Sequence, residues 1–133
     1  MNLSDRKAAI RSDFDKLADA RERWIVRNRN YYEDDRKYTQ FLVLKGSRVL
    51  EIGCGTGELL ARLEPSHGVG IDFSEQMVET ARNNHPGLTF VLGDAEDGEF
   101  IAGLDGPFDY VILSDTIGYL DDIESVFRSL KSI

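Results

Sequence analysis

Apolar residues near the start of the chain recur at helical spacing. Ile10, Phe14, Leu17, Ala20 and Trp24 follow at three- and four-residue steps, the pattern of an amphipathic helix. Ser4 stands where an N-cap oxygen is wanted, so the helix is predicted to begin there. The cluster Asn28-Arg29-Asn30-Tyr31-Tyr32 is expected to break it, and a shorter helix is predicted from Asp34 towards Leu44, stopping near Gly46. Then the period changes. Arg48–Ile52, Gly68–Asp72, Leu88–Leu92 and Phe108–Leu113 are short, mostly apolar runs with the character of strands. Between them Glu58–Leu63 is a helix closed by Pro65, and Ser74 caps another reaching about Asn83. A loop rich in Gly and Asp follows the third strand, and Ile123, Val126, Phe127 and Leu130 share one face of a final helix. Short apolar strands alternating with helices predict a doubly wound α/β domain, its parallel sheet covered on both faces. Residues 46–133 form that domain, and residues 1–45 a helical segment ahead of it.

Composition narrows this little. At 133 residues, 41% apolar and 30% charged, the chain has the size and balance of one soluble globular domain. No apolar run approaches the roughly 18 residues of a membrane span, and the N-terminus lacks the apolar core of a signal peptide. The single Cys54 has no partner for an internal disulfide, so a cytoplasmic location is expected. Charge is more informative because it is uneven. Residues 1–38 carry a net +2, the rest −10, for an overall −8. An acidic body repels phosphate backbones, which argues against nucleic acid as a partner. It suits a cationic ligand, although ordinary solubility is the simpler account.

The strongest chemical signal is Val49-Leu50-Glu51-Ile52-Gly53-Cys54-Gly55-Thr56-Gly57. It joins a strand to a helix, where a tight turn needs glycine and a ligand can approach the backbone closely. Amides at the start of the following helix favour an anionic group. A dinucleotide fingerprint would place Gly or Ala where Glu58 stands, which counts against a nicotinamide-dependent oxidoreductase. Asp72 ends the next strand 19 residues after Gly53, near the spacing at which an acid binds ribose hydroxyls. The alternative, that Asp72 merely caps the next helix, is weakened because Ser74 fills that role.

Four motifs in order then carry a resemblance: Glu51-x-Gly53-x-Gly55-x-Gly57, Gly70-Ile71-Asp72-Phe73-Ser74-x-x-Met77, Gly93-Asp94-Ala95-Glu96 and Phe108-Asp109-Tyr110-Val111-Ile112. From about Arg48 to Leu130 the chain resembles the cofactor-binding portion of class I methyltransferases. The resemblance implies a Rossmann-like parallel sheet of seven strands in order 3-2-1-4-5-7-6, of which this chain carries the part 3-2-1-4, and S-adenosylmethionine as methyl donor. It implies that Gly53, Cys54, Gly55 and Thr56 line the methionine and ribose end, and that Glu51 orients the methionine amino group through water. Asp72 would hold the ribose, with Phe73 and Met77 as apolar walls for the adenine. Asp94 would accept from the adenine amino group, the Ala95 amide would donate to a ring nitrogen, Glu96 would stand nearby, and Ser114 would sit beside the methyl group. Met77 has helical spacing to Val78 and Ala81 and is equally well placed for the core. Tyr31, Tyr32 and Tyr38 belong either to a lid or to a staple between helices and sheet. Residues 1–45 are thus a candidate lid.

His67 and His85 have no metal-ligand partner at usable spacing and are expected at the surface. Asp121 and Asp122 are expected to cap the last helix. Asp115 and Tyr119, after the fourth strand, face the acceptor region, and no residue is singled out as the base. The implied function is methyl transfer to a small-molecule acceptor, with a non-catalytic cofactor-binding module as the alternative. With four strands of an expected seven, the chain is expected to be part of a longer domain. Its exposed fourth strand is expected to recruit another chain.

Overall fold

The computed structural model describes residues 1–133. Helix α1 spans Asp5–Arg27, and the Ser4 hydroxyl caps it by accepting from the Lys7 amide. The expected break is narrower than the sequence suggested. Only Asn28 leaves helical geometry, its side-chain amide donating back to the Trp24 carbonyl, and α2 runs from Arg29 to Leu42. Residues 29–32 are therefore helical, because one satisfied capping residue is enough to turn the chain.

The sheet follows as expected: β1 Arg48–Ile52, β2 His67–Asp72, β3 Thr89–Leu92 and β4 Tyr110–Ile112, all parallel, in the order β3-β2-β1-β4. Registers pair Arg48 with His67, Val69 with Thr89 and Val49 with Tyr110. β4 is three residues long where six were expected, and the chain bends away at Leu113 into the turn that carries Ser114–Thr116. Helices α3 (Glu58–Arg62) and α4 (Glu75–Asn84) cover one face of the sheet. There Val49, Leu60, Val78, Ala81 and Phe90 form a core. Helices α5 (Gly98–Ala102) and α6 (Ile123–Leu130) cover the other, over Leu50, Ile52, Val69, Ile71, Ile101 and Val126. The Gly- and Asp-rich segment after β3, expected as loop, holds the short α5. Asp97 nucleates it by accepting from the Glu99 and Phe100 amides. On α6 only Val126 is fully buried, while Ile123 and Phe127 stay exposed.

α1 departs most from expectation. Leu17 and Trp24, predicted on its inner face, are more than half exposed, whereas Lys7, Ala18 and Ile25 are buried. The helix packs on α4 and lies over the carboxyl ends of the strands. Its inner face therefore covers a cleft lined by polar and apolar side chains alike rather than a core, and apolar periodicity misreads such a face.

Candidate functional site: a cleft at the carboxyl ends of the strands

β1 has β2 on one side and β4 on the other, so the chain reverses winding direction at β1. That reversal opens a crevice at the carboxyl ends of the strands, where doubly wound sheets bind ligands. A cleft of about 840 Å³ lies there, within the roughly 300–1,000 Å³ range of small-molecule sites.

The β1–α3 turn forms its floor. Gly53 (φ +72°) and Gly55 (φ +53°) are both left-handed, and a Cβ on Gly53 would overlap the buried Thr116 side chain. Thr116 Oγ1 lies 3.0 Å from the Ile52 carbonyl and 2.9 Å from that of Ser114, fixing the turn after β4 against the end of β1. Asp72, at the end of β2, accepts from the Gly55 amide on Oδ2 and from the Ser74 amide on Oδ1, each at 2.9 Å. Burial raises its carboxyl above the usual range against the pull of the Ser74 and Gly55 amides and of Arg21. Ser74, not Asp72, caps α4, its hydroxyl accepting from the Met77 amide. Asp72 is thus held rigidly at the cleft with oxygen lone pairs to spare.

Of the residues anticipated here, Gly53, Gly55, Asp72, Phe73, Met77, Asp94, Ala95 and Ser114 line the cleft. Met77 is also 2% exposed, so it belongs to the core as well as to the cleft wall. Cys54 and Thr56 turn into the protein, and burial pushes the Cys54 thiol well above its ordinary value. Glu51 is also absent from the cleft wall. Its Oε2 accepts from the Leu60 amide at 3.2 Å, and burial pushes its carboxyl up to about 8. Asp94 and Glu96 converge on Lys7 of α1: Nζ lies 2.6 Å from Asp94 Oδ1 and also pairs with Glu96. Burial raises the Glu96 carboxyl, but Lys7 and the Asp121 and Asp122 amides outweigh it and hold it below the usual range.

Three cleft residues on α1 were not legible in the sequence: Lys7, Phe14, which lines the cleft rather than the core, and Arg21. Their seven-residue spacing was the available signal. Phe14 packs edge-on against Phe73 and Tyr119, with ring centroids 6.3 and 5.2 Å apart. Of the three tyrosines only Tyr32 faces the cleft, while Tyr31 and Tyr38 are exposed and staple nothing to the sheet. Asp35 approaches Ser114 from α2, its Oδ2 3.5 Å from the serine hydroxyl. Asp115, left-handed at φ +53°, and Tyr119 complete the far wall. Asp122 caps α6 by accepting from the Ser125 amide, but Asp121 does not. It pairs instead with Arg6 and Ser4, tying the start of α1 to the loop after β4.

Residues 49–133 match the methyltransferase domain family. YqeM of Bacillus subtilis is 31% identical over 105 residues, which make up 77% of this chain and 42% of that protein. The chain belongs to the class I S-adenosylmethionine-dependent methyltransferases. The malonyl-[acyl-carrier protein] O-methyltransferase of Bacillus anthracis is 35% identical over 102 residues, 72% of this chain and 35% of that one. Among solved structures, an S-adenosylmethionine-dependent methyltransferase of Thermotoga maritima, described as a possible histamine N-methyltransferase, superposes with a TM-score of 0.72 at 28% identity. It matches 90% of this chain and 54% of that one. This methyltransferase domain therefore spans about a third to a half of the relatives it matches. Its cleft suits the family's cofactor on two observations: Asp72 is pre-set by two amides, and a buried Arg21 nitrogen has no partner in the chain.

Proposed function

We propose that this cleft binds S-adenosylmethionine and that the domain serves methyl transfer to a small-molecule acceptor. Asp72 carries the reading: a carboxylate fixed by the Gly55 and Ser74 amides at the mouth of the β1–α3 turn, suited to two ribose hydroxyls. Phe73 and Met77 offer apolar walls and Asp94 an acceptor for an exocyclic amine. The bound cofactor supplies an electrophilic methyl carbon, so the protein has mainly to orient the acceptor and exclude water. Ser114, Asp115 and Tyr119 stand where an acceptor would enter, and Asp115 or Tyr119 would take a proton only from acceptors that must lose one. Helices α1 and α2 together act as the lid. No helix is long and apolar enough to cross a membrane. A cytoplasmic site of action agrees with a lone, buried thiol.

Calorimetric titration with S-adenosylhomocysteine and NAD tests the reading. S-adenosylhomocysteine should bind and NAD should not. Asp72→Ala should cost roughly 2–4 kcal/mol, about 30- to 1000-fold in affinity. Unchanged affinity in that variant removes Asp72 from the site.

A further inference from the structure

Lys7, Phe14 and Arg21 all line the cleft. Fourteen residues of helix cover about 21 Å, and a seven-residue step is close to two turns, so the three side chains share one face. That face follows the length of the cleft. Lys7 meets Asp94 and Glu96 after β3, Phe14 meets Phe73 after β2, and Arg21 lies over the turn after β1. There a Cβ on Gly55 would stand 3.0 Å from Arg21 Nε. One helix outside the sheet thus touches the loops following β3, β2 and β1 in order.

The two cations on this face are in opposite conditions. Lys7 is 5% exposed and paired with two carboxylates. Arg21 belongs to none of the ion pairs of the chain, and its Nε is buried without a hydrogen-bond partner. Asp72 and Glu51 are near enough to feel its charge, yet they spend their recorded hydrogen bonds on the Gly55, Ser74 and Leu60 amides. A planar guanidinium fork facing a cleft and lacking an acceptor is matched to a carboxylate that arrives with the ligand.

We propose that α1 is the fourth wall of the cofactor site and reads both ends of the ligand, Arg21 binding the carboxylate of its amino-acid end and Lys7 positioning Asp94 and Glu96 for its nucleobase end. The proposal rests on the cofactor reading above. It makes docking of α1 and binding of the ligand mutually dependent, since each supplies contacts the other uses.

Two probes separate the ends: S-adenosylhomocysteine, and 5′-methylthioadenosine, which keeps the nucleoside thioether but lacks the amino-acid carboxylate. With the full chain, Arg21→Gln should weaken S-adenosylhomocysteine by about 10- to 100-fold, as for loss of a charge-assisted pair, and leave 5′-methylthioadenosine unchanged. Lys7→Met should weaken both by a common factor. Amide exchange across residues 5–27 should slow more with S-adenosylhomocysteine than with 5′-methylthioadenosine, and Arg21→Gln should abolish that difference. If Arg21→Gln loses its helical circular dichroism, Arg21→Lys, which keeps the charge without the fork, takes its place with a smaller selective loss. Wild-type protein that binds neither probe overturns the cofactor reading together with this proposal. Wild-type binding of both, with the arginine variant weakening them equally or not at all, overturns this proposal alone.

Discussion

Glu51 is the residue whose chemistry the fold changes most. Its ordinary value of 4.5 rises to about 8, mainly through burial, with the Leu60 amide pulling the other way and the Asp72 charge adding to the rise. The folded chain therefore keeps a proton on Glu51 that the unfolded chain releases. Its contribution to stability is full below about pH 4.5 and is lost as pH rises through about 8, at a slope of up to about 1.4 kcal/mol per pH unit. Asp72 is shifted in the same direction and adds to the trend. Glu51→Gln, neutral at every pH, should flatten the loss without abolishing it. Urea midpoints at pH 5, 6.5 and 8 for both proteins would show it, and parallel curves would mean Glu51 is ionised in the fold. At this scale spacing pointed to Asp72 and the glycines and the resemblance to Asp94, and the fold brings Gly53, Gly55, Asp72 and Asp94 to the cleft. The state of Glu51 was not legible, because it depends on α3 and the sheet closing over it.

Among the elements, α1 and α4 are joined by several polar contacts, the most buried of them at one serine. The Ser74 hydroxyl accepts from the Met77 amide, capping α4, and donates to Asp15 of α1. Ser74→Ala removes the cap and the tether together and should cost about 1–3 kcal/mol, a cap being worth roughly 1 and a lost buried partner the remainder. Asp15→Ala keeps the Ser74 cap, though it also removes the acceptor of the Gln76 amide, and should cost less while loosening α1 more than α4. Amide exchange separates the two: Ser74→Ala should speed exchange in both helices, and Asp15→Ala mainly in α1. Equal effects of both substitutions on α4 would refute the shared role. Strands β1 to β3 were legible because their apolar runs are short and continuous. The inner face of α1 was not, since its contacts are a lysine, a phenylalanine and an arginine directed at a cleft.

For the molecule as a whole, β4 pairs with β1 on one side only, and within the 133 residues nothing pairs with its other edge. Tyr110, Val111 and Ile112 are half-buried, apolar for the most part, and include no Lys or Pro to blunt the edge. We propose that this edge recruits a second strand, from another copy when the chain is alone. Light scattering after size exclusion should give a mass that rises with concentration, even though a net charge of −8 opposes association. A stable monomer at high concentration, whose amides 110–112 are protected from exchange, would contradict it. The order of elements, the parallel sheet, the glycine turn and the acids at the ends of β2 and β3 were determined by the sequence alone. Each depends on local pattern: period, cap, turn chemistry and the fixed spacing of one strand-helix unit. Only the tertiary structure decided that α1 closes the cleft, that Lys7 sits between Asp94 and Glu96, that the Arg21 Nε is buried unpaired, and that Glu51 is buried behind the cleft wall. Those outcomes turn on contacts between residues dozens of positions apart and on burial that changes the charge a side chain can carry. Such properties belong to a packed neighbourhood rather than to any stretch of chain.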